Sequence, residues 1–65
     1  METGLQLLMR DGAVHVTFRP RLTPEQYAEF SRILEIASTR DELCKAGKEA
    51  AARWGLEFLC DPVGV

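Results

Sequence analysis

Apolar and polar positions alternate with a period of two near the start of the chain, switch to helical spacing in the middle, and alternate again near the end. The stretch "LQLLMRDGAVHVTF" has two apolar runs either side of Asp11 and Gly12. An Asp-Gly pair between alternating runs signals a hairpin, because a type I′ turn needs positive φ at both central residues. With those residues as the turn, the strands cover about 5–10 and 13–18. Leu5, Leu7 and Met9 then share one face of the first strand. Val14, Val16 and Phe18 share a face of the second, opposite Ala13, His15 and Thr17.

"RPRLTPEQ" ends this pairing at Pro20 and starts a helix. Thr23 suits the N-cap, Pro24 the first helical position, and Gln26 completes a capping box. The helix runs about 24–37, with Tyr27, Phe30, Ile33, Leu34 and Ala37 in one stripe and Glu29, Arg32 and Glu35 away from it. A second helix, about 40–54, is capped by Ser38 or Thr39, with Glu42 three residues after Thr39. Its stripe is Leu43, Gly47, Ala50 and Trp54, flanked by Ala46 and Ala51, and Gly55 stops it. A mid-helix glycine costs about 1 kcal/mol relative to alanine. Such small residues predict a close approach of the first helix, with Phe30 or Leu34 filling the space. The last alternating run, "LEFLC" at 56–60, sets Leu56, Phe58 and Cys60 against Glu57 and Leu59, and Asp61 and Pro62 end it.

The order strand, strand, helix, helix, strand predicts a single α+β domain over 1–65. In this two-layer ββααβ arrangement a helical hairpin packs on one face of a three-stranded sheet. The third strand runs antiparallel to the second and parallel to the first. Its neighbour in the sheet is left open.

At 65 residues, 46% of them hydrophobic and 28% charged, the chain is an ordinary globular sequence but a short one. Domains of this size are marginal and commonly add a disulfide, a metal or a partner. Cys44 and Cys60 match no CxxC or zinc-knuckle spacing, and His15 as the one histidine leaves too few ligands for structural zinc. No metal or cofactor is expected. "METGLQLLMR" lacks the pattern of a signal peptide, and no apolar run approaches the length of a membrane span. The expectation is a reduced, cytoplasmic protein, without a membrane, whose cysteines act as small core residues. Self-association remains as the extra source of stability.

Eight Lys and Arg against ten Asp and Glu leave a net charge of −2, which argues against a domain built on phosphate contacts. Two helices joined by a short corner can read DNA, but the solvent face of the second carries Asp41, Glu42, Lys45, Lys48, Glu49 and Arg53. Asp41 with Lys45, and Glu49 with Arg53, stand four apart in acid-first order, and three carboxylates would be repelled from a groove. His15 is the one side chain that titrates near neutrality unaided, yet no serine, cysteine or carboxylate stands at a spacing that suggests a nucleophilic pair. No enzyme is expected. Arg19 and Arg21 precede the first helix, where an anion site is conceivable, although Glu25 serves the same dipole. Arg10 and Arg40 belong at the opposite end, near the hairpin turn.

The sheet face away from the helices is the most informative feature. It carries Leu8, Leu59 and Ala13 among Gln6, His15, Thr17 and Glu57, more apolar than a solvated face requires, and exposed apolar patches mark association sites. Ile36 and the tail "PVGV" are expected to extend it. The two sheet edges, with no proline or lysine in mid-strand, are another route to pairing. These features predict a non-enzymatic protein-interaction module, homodimeric or bound to another protein, that uses Leu8, His15, Thr17 and Leu59. One alternative is a nucleic-acid-binding module using Arg19, Arg21 and the helical hairpin. Another is a ligand or catalytic site shared between subunits around His15, since one short chain can hardly enclose a pocket.

Overall fold

A computed structural model describes residues 2–63. Strands β1 (Thr3–Met9) and β2 (Gly12–Arg19) form a hairpin, helices α1 (Pro24–Ile36) and α2 (Arg40–Trp54) follow, and β3 (Glu57–Val63) closes the α+β domain. The sheet order is β1-β2-β3, antiparallel throughout, with β2 in the centre. The open question of the third strand's neighbour is thus answered: it lies beside β2. As the central strand, β2 is flanked on both sides and buries Val14, Val16 and Phe18.

Several boundaries differ from the sequence expectation, β1 beginning at Thr3 rather than near Leu5. The hairpin closes on the Met9–Gly12 pair, so Arg10 and Asp11 form the loop, shifted by one residue. Among the described residues only glycines have positive φ, which excludes a type I′ turn at Arg10 and Asp11 and places the unusual backbone on Gly12 at φ 136°. Asp11 is instead used at a distance. Its Oδ1 accepts the Arg40 N–H at 2.8 Å, and its carboxylate lies 3.6 Å from the Arg40 Nε, while the Arg10 N–H donates to the Ser38 carbonyl at 2.8 Å. The hairpin tip is therefore fastened to the corner between the helices. Arg10 and Arg40 do lie together at this end.

The third strand also runs past its expected stop, through Asp61 and Pro62 to Val63, with Pro62 opposite Val14. A proline is tolerated on an edge strand where its missing N–H would have faced solvent. At the other end β2 stops at Arg19, and the Arg19–Pro20 peptide bond is cis.

Both helices start as expected. Thr23 and Thr39 accept the backbone N–H groups of Gln26 and Glu42, whose side chains bond back to the caps. Glu42 Oε1 also accepts the Ser38 hydroxyl at 2.8 Å. The Ser38 hydroxyl and backbone N–H, followed by the Thr39 groups, stabilise the charged form and hold the Glu42 carboxyl below its usual value. Gly55 ends α2 in the left-handed region at φ 71°, where glycine pays no Cβ penalty.

The core lies between the helices and the inner sheet face. Phe18 is its centre, with ring centroids 5.0 Å from Phe30, 4.9 Å from Phe58 and 6.2 Å from Trp54. The stripes on α1 and α2 meet it through buried Phe30, Leu43, Ala50 and Ala51, whereas Tyr27 remains exposed beside Leu22 and Pro24. The small-residue face of α2 receives β3 rather than α1. A Cβ on Gly47 would stand 2.6 Å from the Phe58 ring. The close approach is helix to sheet because the aromatic on the neighbouring strand, not Phe30 or Leu34, needs the room.

Cys44 on α2 and Cys60 on β3 form a disulfide, their Cα atoms 5.8 Å apart. This overturns the reading of two reduced core cysteines. Packing α2 across β3 brings residues 16 apart in sequence within the separation that a disulfide spans. Spacing alone carried no such signal.

Candidate interaction surface on the open sheet face

Strand register sorts the outer face into rows, each read from β1 through β2 to β3. Nearest the hairpin tip, Leu8, Ala13 and Val63 form an apolar row. Gln6, His15 and Asp61 form a polar one, and Gly4, Thr17 and Leu59 a mixed one. At the far end Arg19 lies opposite Glu57 and its Nε donates to Glu2 Oε2 at 2.6 Å. The face therefore grades from apolar to charged along the strands.

Leu8 is 85% exposed and Leu59 49%. Neither is covered by the helices, which lie on the other side of the sheet. His15 is exposed between them, and its Nε2 lies 3.4 Å from where a Gly4 Cβ would stand. The imidazole therefore leans over the glycine. Thr17 is on this face but only 8% exposed. It is a short side chain on the central strand, with Leu59 beside it and His15 and Arg19 two residues along. It supports the surface and offers little of it to a partner.

Val63 joins the apolar row, while Gly64 and Val65 of the expected apolar tail lie outside the described residues. Ile36 does not extend this face. It is 83% exposed and lines a groove between the helices with Ile33, Ala37 and Ala46, rimmed by Lys45 and Glu49. The spacing of α1 could not reveal this, because the position of α2 decides which flank of α1 is left open.

Arg19 and Arg21 occupy different surroundings. The bond to Glu2, aided by its charge and by Glu57, raises the Arg19 pKa above its ordinary value. Arg21 lines a separate depression with Leu22, Thr23, Pro24 and Tyr27. The first free N–H groups near α1 are engaged within the chain, Leu22 donating to Thr3 Oγ1 and Gln26 to Thr23 Oγ1. Among the described residues no group of three or more His, Cys, Asp or Glu could hold a metal ion, and no helix is long and apolar enough to cross a membrane. Comparison with protein-family models, with curated proteins and with solved structures finds no match to the chain.

Proposed function

We propose that this chain is a small protein-interaction module that works as a homodimer and uses the open face of its sheet. The observation that carries the reading is the pair of leucines, Leu8 and Leu59, exposed on a face where solvent would favour polar residues. His15 between them adds a polar contact that orients a partner. An apolar patch with convergent polar groups is the composition expected at the centre of an interface. His15 is neighboured by Gln6 and Asp61 across the strands, polar groups on an open, flat face that suits recognition.

The disulfide bears on where the module works. Disulfides persist in oxidising compartments, whereas the cytoplasm keeps thiols reduced. A cytoplasmic location would therefore leave Cys44 and Cys60 as thiols, and an oxidising compartment would keep them joined.

The test is solution mass by light scattering across a concentration series, with Leu59→Glu as the variant. A dimer weakened by that charge supports the face as the contact. A monomer at every concentration, together with no partner retained on immobilised protein, removes the reading.

A further inference from the structure

The two edges of the sheet are unlike. β3 carries Pro62 with Glu57 and Asp61, the devices that blunt an edge against pairing. β1, "TGLQLLM", has neither proline nor charge along its seven residues, and alternate residues must turn their backbone N–H and C=O groups outward. Its inner side chains Leu5, Leu7 and Met9 stay only half-buried. A cleft lined by Leu7, Met9, Leu34 and Ala37 opens beside them, so the core is incompletely covered along this edge.

We propose that two copies of this chain pair through β1, antiparallel and centred on Gln6, to form one continuous six-stranded sheet. This rests on the reading that the chain self-associates, but moves the contact between copies from the open face to the β1 edge and leaves that face free for a further partner. The register follows from parity and length. Inner residues must meet inner residues, and among such registers only the one centred on Gln6 pairs all seven positions of β1. In it Gly4 faces Leu8 of the second copy, and Gln6 faces Gln6. The flanking Glu2 faces Arg10.

Every unlike pair occurs twice, and apart from Thr3 opposite Met9 the pairs are complementary. The most exposed large hydrophobic side chain, Leu8, is placed over the one residue of β1 without a side chain, beside the His15 imidazole that leans over it. The glutamine amides can donate and accept reciprocally across the two-fold axis. At each end of the strand Arg10 of one copy approaches the Glu2–Arg19 ion pair of the other. Leu5 meets Leu7 on the inner side, and the cleft at the end of α1 is closed by the second copy. A stable pair needs roughly 800 Å² per partner, under a fifth of the total surface of 4545 Å². The joined sheet then carries two copies of His15 and Leu59 on one outer face.

The experiment is cross-linking of Gln6→Cys, prepared with the Cys44–Cys60 disulfide closed. Directly opposite residues in an antiparallel ladder have Cα atoms about 4.5–5.5 Å apart, within disulfide reach. Mild oxidation is expected to convert most of this variant to a covalent dimer while Leu59→Cys, exposed on β3, forms no covalent dimer. Leu8→Glu is expected to raise the dissociation constant by about tenfold or more with an unchanged far-UV circular dichroism spectrum. Cross-linking through Leu59→Cys but not Gln6→Cys, in a protein of dimeric mass, overturns the edge pairing and leaves a face-to-face module standing. A wild-type monomer at every concentration overturns the pairing and the homodimer together.

Discussion

Gly47 and Phe58 form the tightest constraint at the scale of single residues. Alanine in mid-helix normally gains about 1 kcal/mol over glycine, yet here its methyl would press on the Phe58 ring, and overpacking costs typically 1–3 kcal/mol. Gly47→Ala is expected to lower the melting temperature by several degrees, about 4–8 °C per kcal/mol in a domain of this size, and adding Phe58→Leu should restore part of it. An unchanged or raised melting temperature would show that the ring moves aside freely. Asp11 makes a second residue-level prediction. The Arg40 backbone N–H holds its carboxyl below the usual value, so it favours the folded state above the unfolded pKa, and that benefit disappears as pH falls through the folded value. Asp11→Asn keeps an acceptor and loses the charge. The wild type should melt above this variant at neutral pH and converge with it in acid; a gap that persists in strong acid would dismiss the charge as the cause.

Several elements are bounded by local devices. Reciprocal capping boxes start both helices, Gly55 ends α2, and Pro20 follows the last paired residue of β2. Thr39→Ala removes the acceptor for the Glu42 N–H and is expected to cost about 1 kcal/mol. Circular dichroism melts would read this loss, and Thr39→Ser should retain most of the stability. The hairpin behaves differently from these caps. Its turn is decided partly by the corner 29 residues away, where Arg40 donates to Asp11. Tertiary fastening and turn chemistry act together there, so the Asp-Gly signal located the hairpin but missed its loop by one residue, which moves the pairing register by two and keeps each side chain on its face.

For the molecule as a whole, α2 is joined to β3 three times: by the disulfide, by Phe58 against Gly47, and by the ring cluster around Phe18. Closing a loop of about 15 residues contributes about 3 kcal/mol in the chain-entropy account. Reduction, or Cys44→Ala with Cys60→Ala, is expected to lower the melting temperature by roughly 12–24 °C. The same melt with and without reductant checks it, and coincident curves would assign stability to the aromatic packing alone. Edge pairing belongs to this scale as well, because a domain this short buries a smaller share of its surface than larger ones and leaves β1 half-covered.

Element type and order came from periodicity, caps and turn residues, which act within a few positions of one another. That local physics suffices for the ββααβ string, for the buried stripe from Leu43 to Ala50, and for placing Leu8, His15 and Leu59 together on one sheet face, since alternation is enough to assign a side. What lay beyond it depended on which elements touch. Strand order put β2 in the centre and reduced Thr17 to a covered support. It also made β3 an edge strand that accepts Pro62 and runs on to Val63. The packing of α2 across β3 joined Cys44 to Cys60 and turned Phe58 toward Gly47, while the path of α2 beside α1 carried Ile36 away from the sheet. The sequence by itself determined the elements, because their signals are short-range. Only the tertiary structure decided the disulfide, the unequal edges and the true extent of the exposed face, because each depends on contacts between residues distant in the chain.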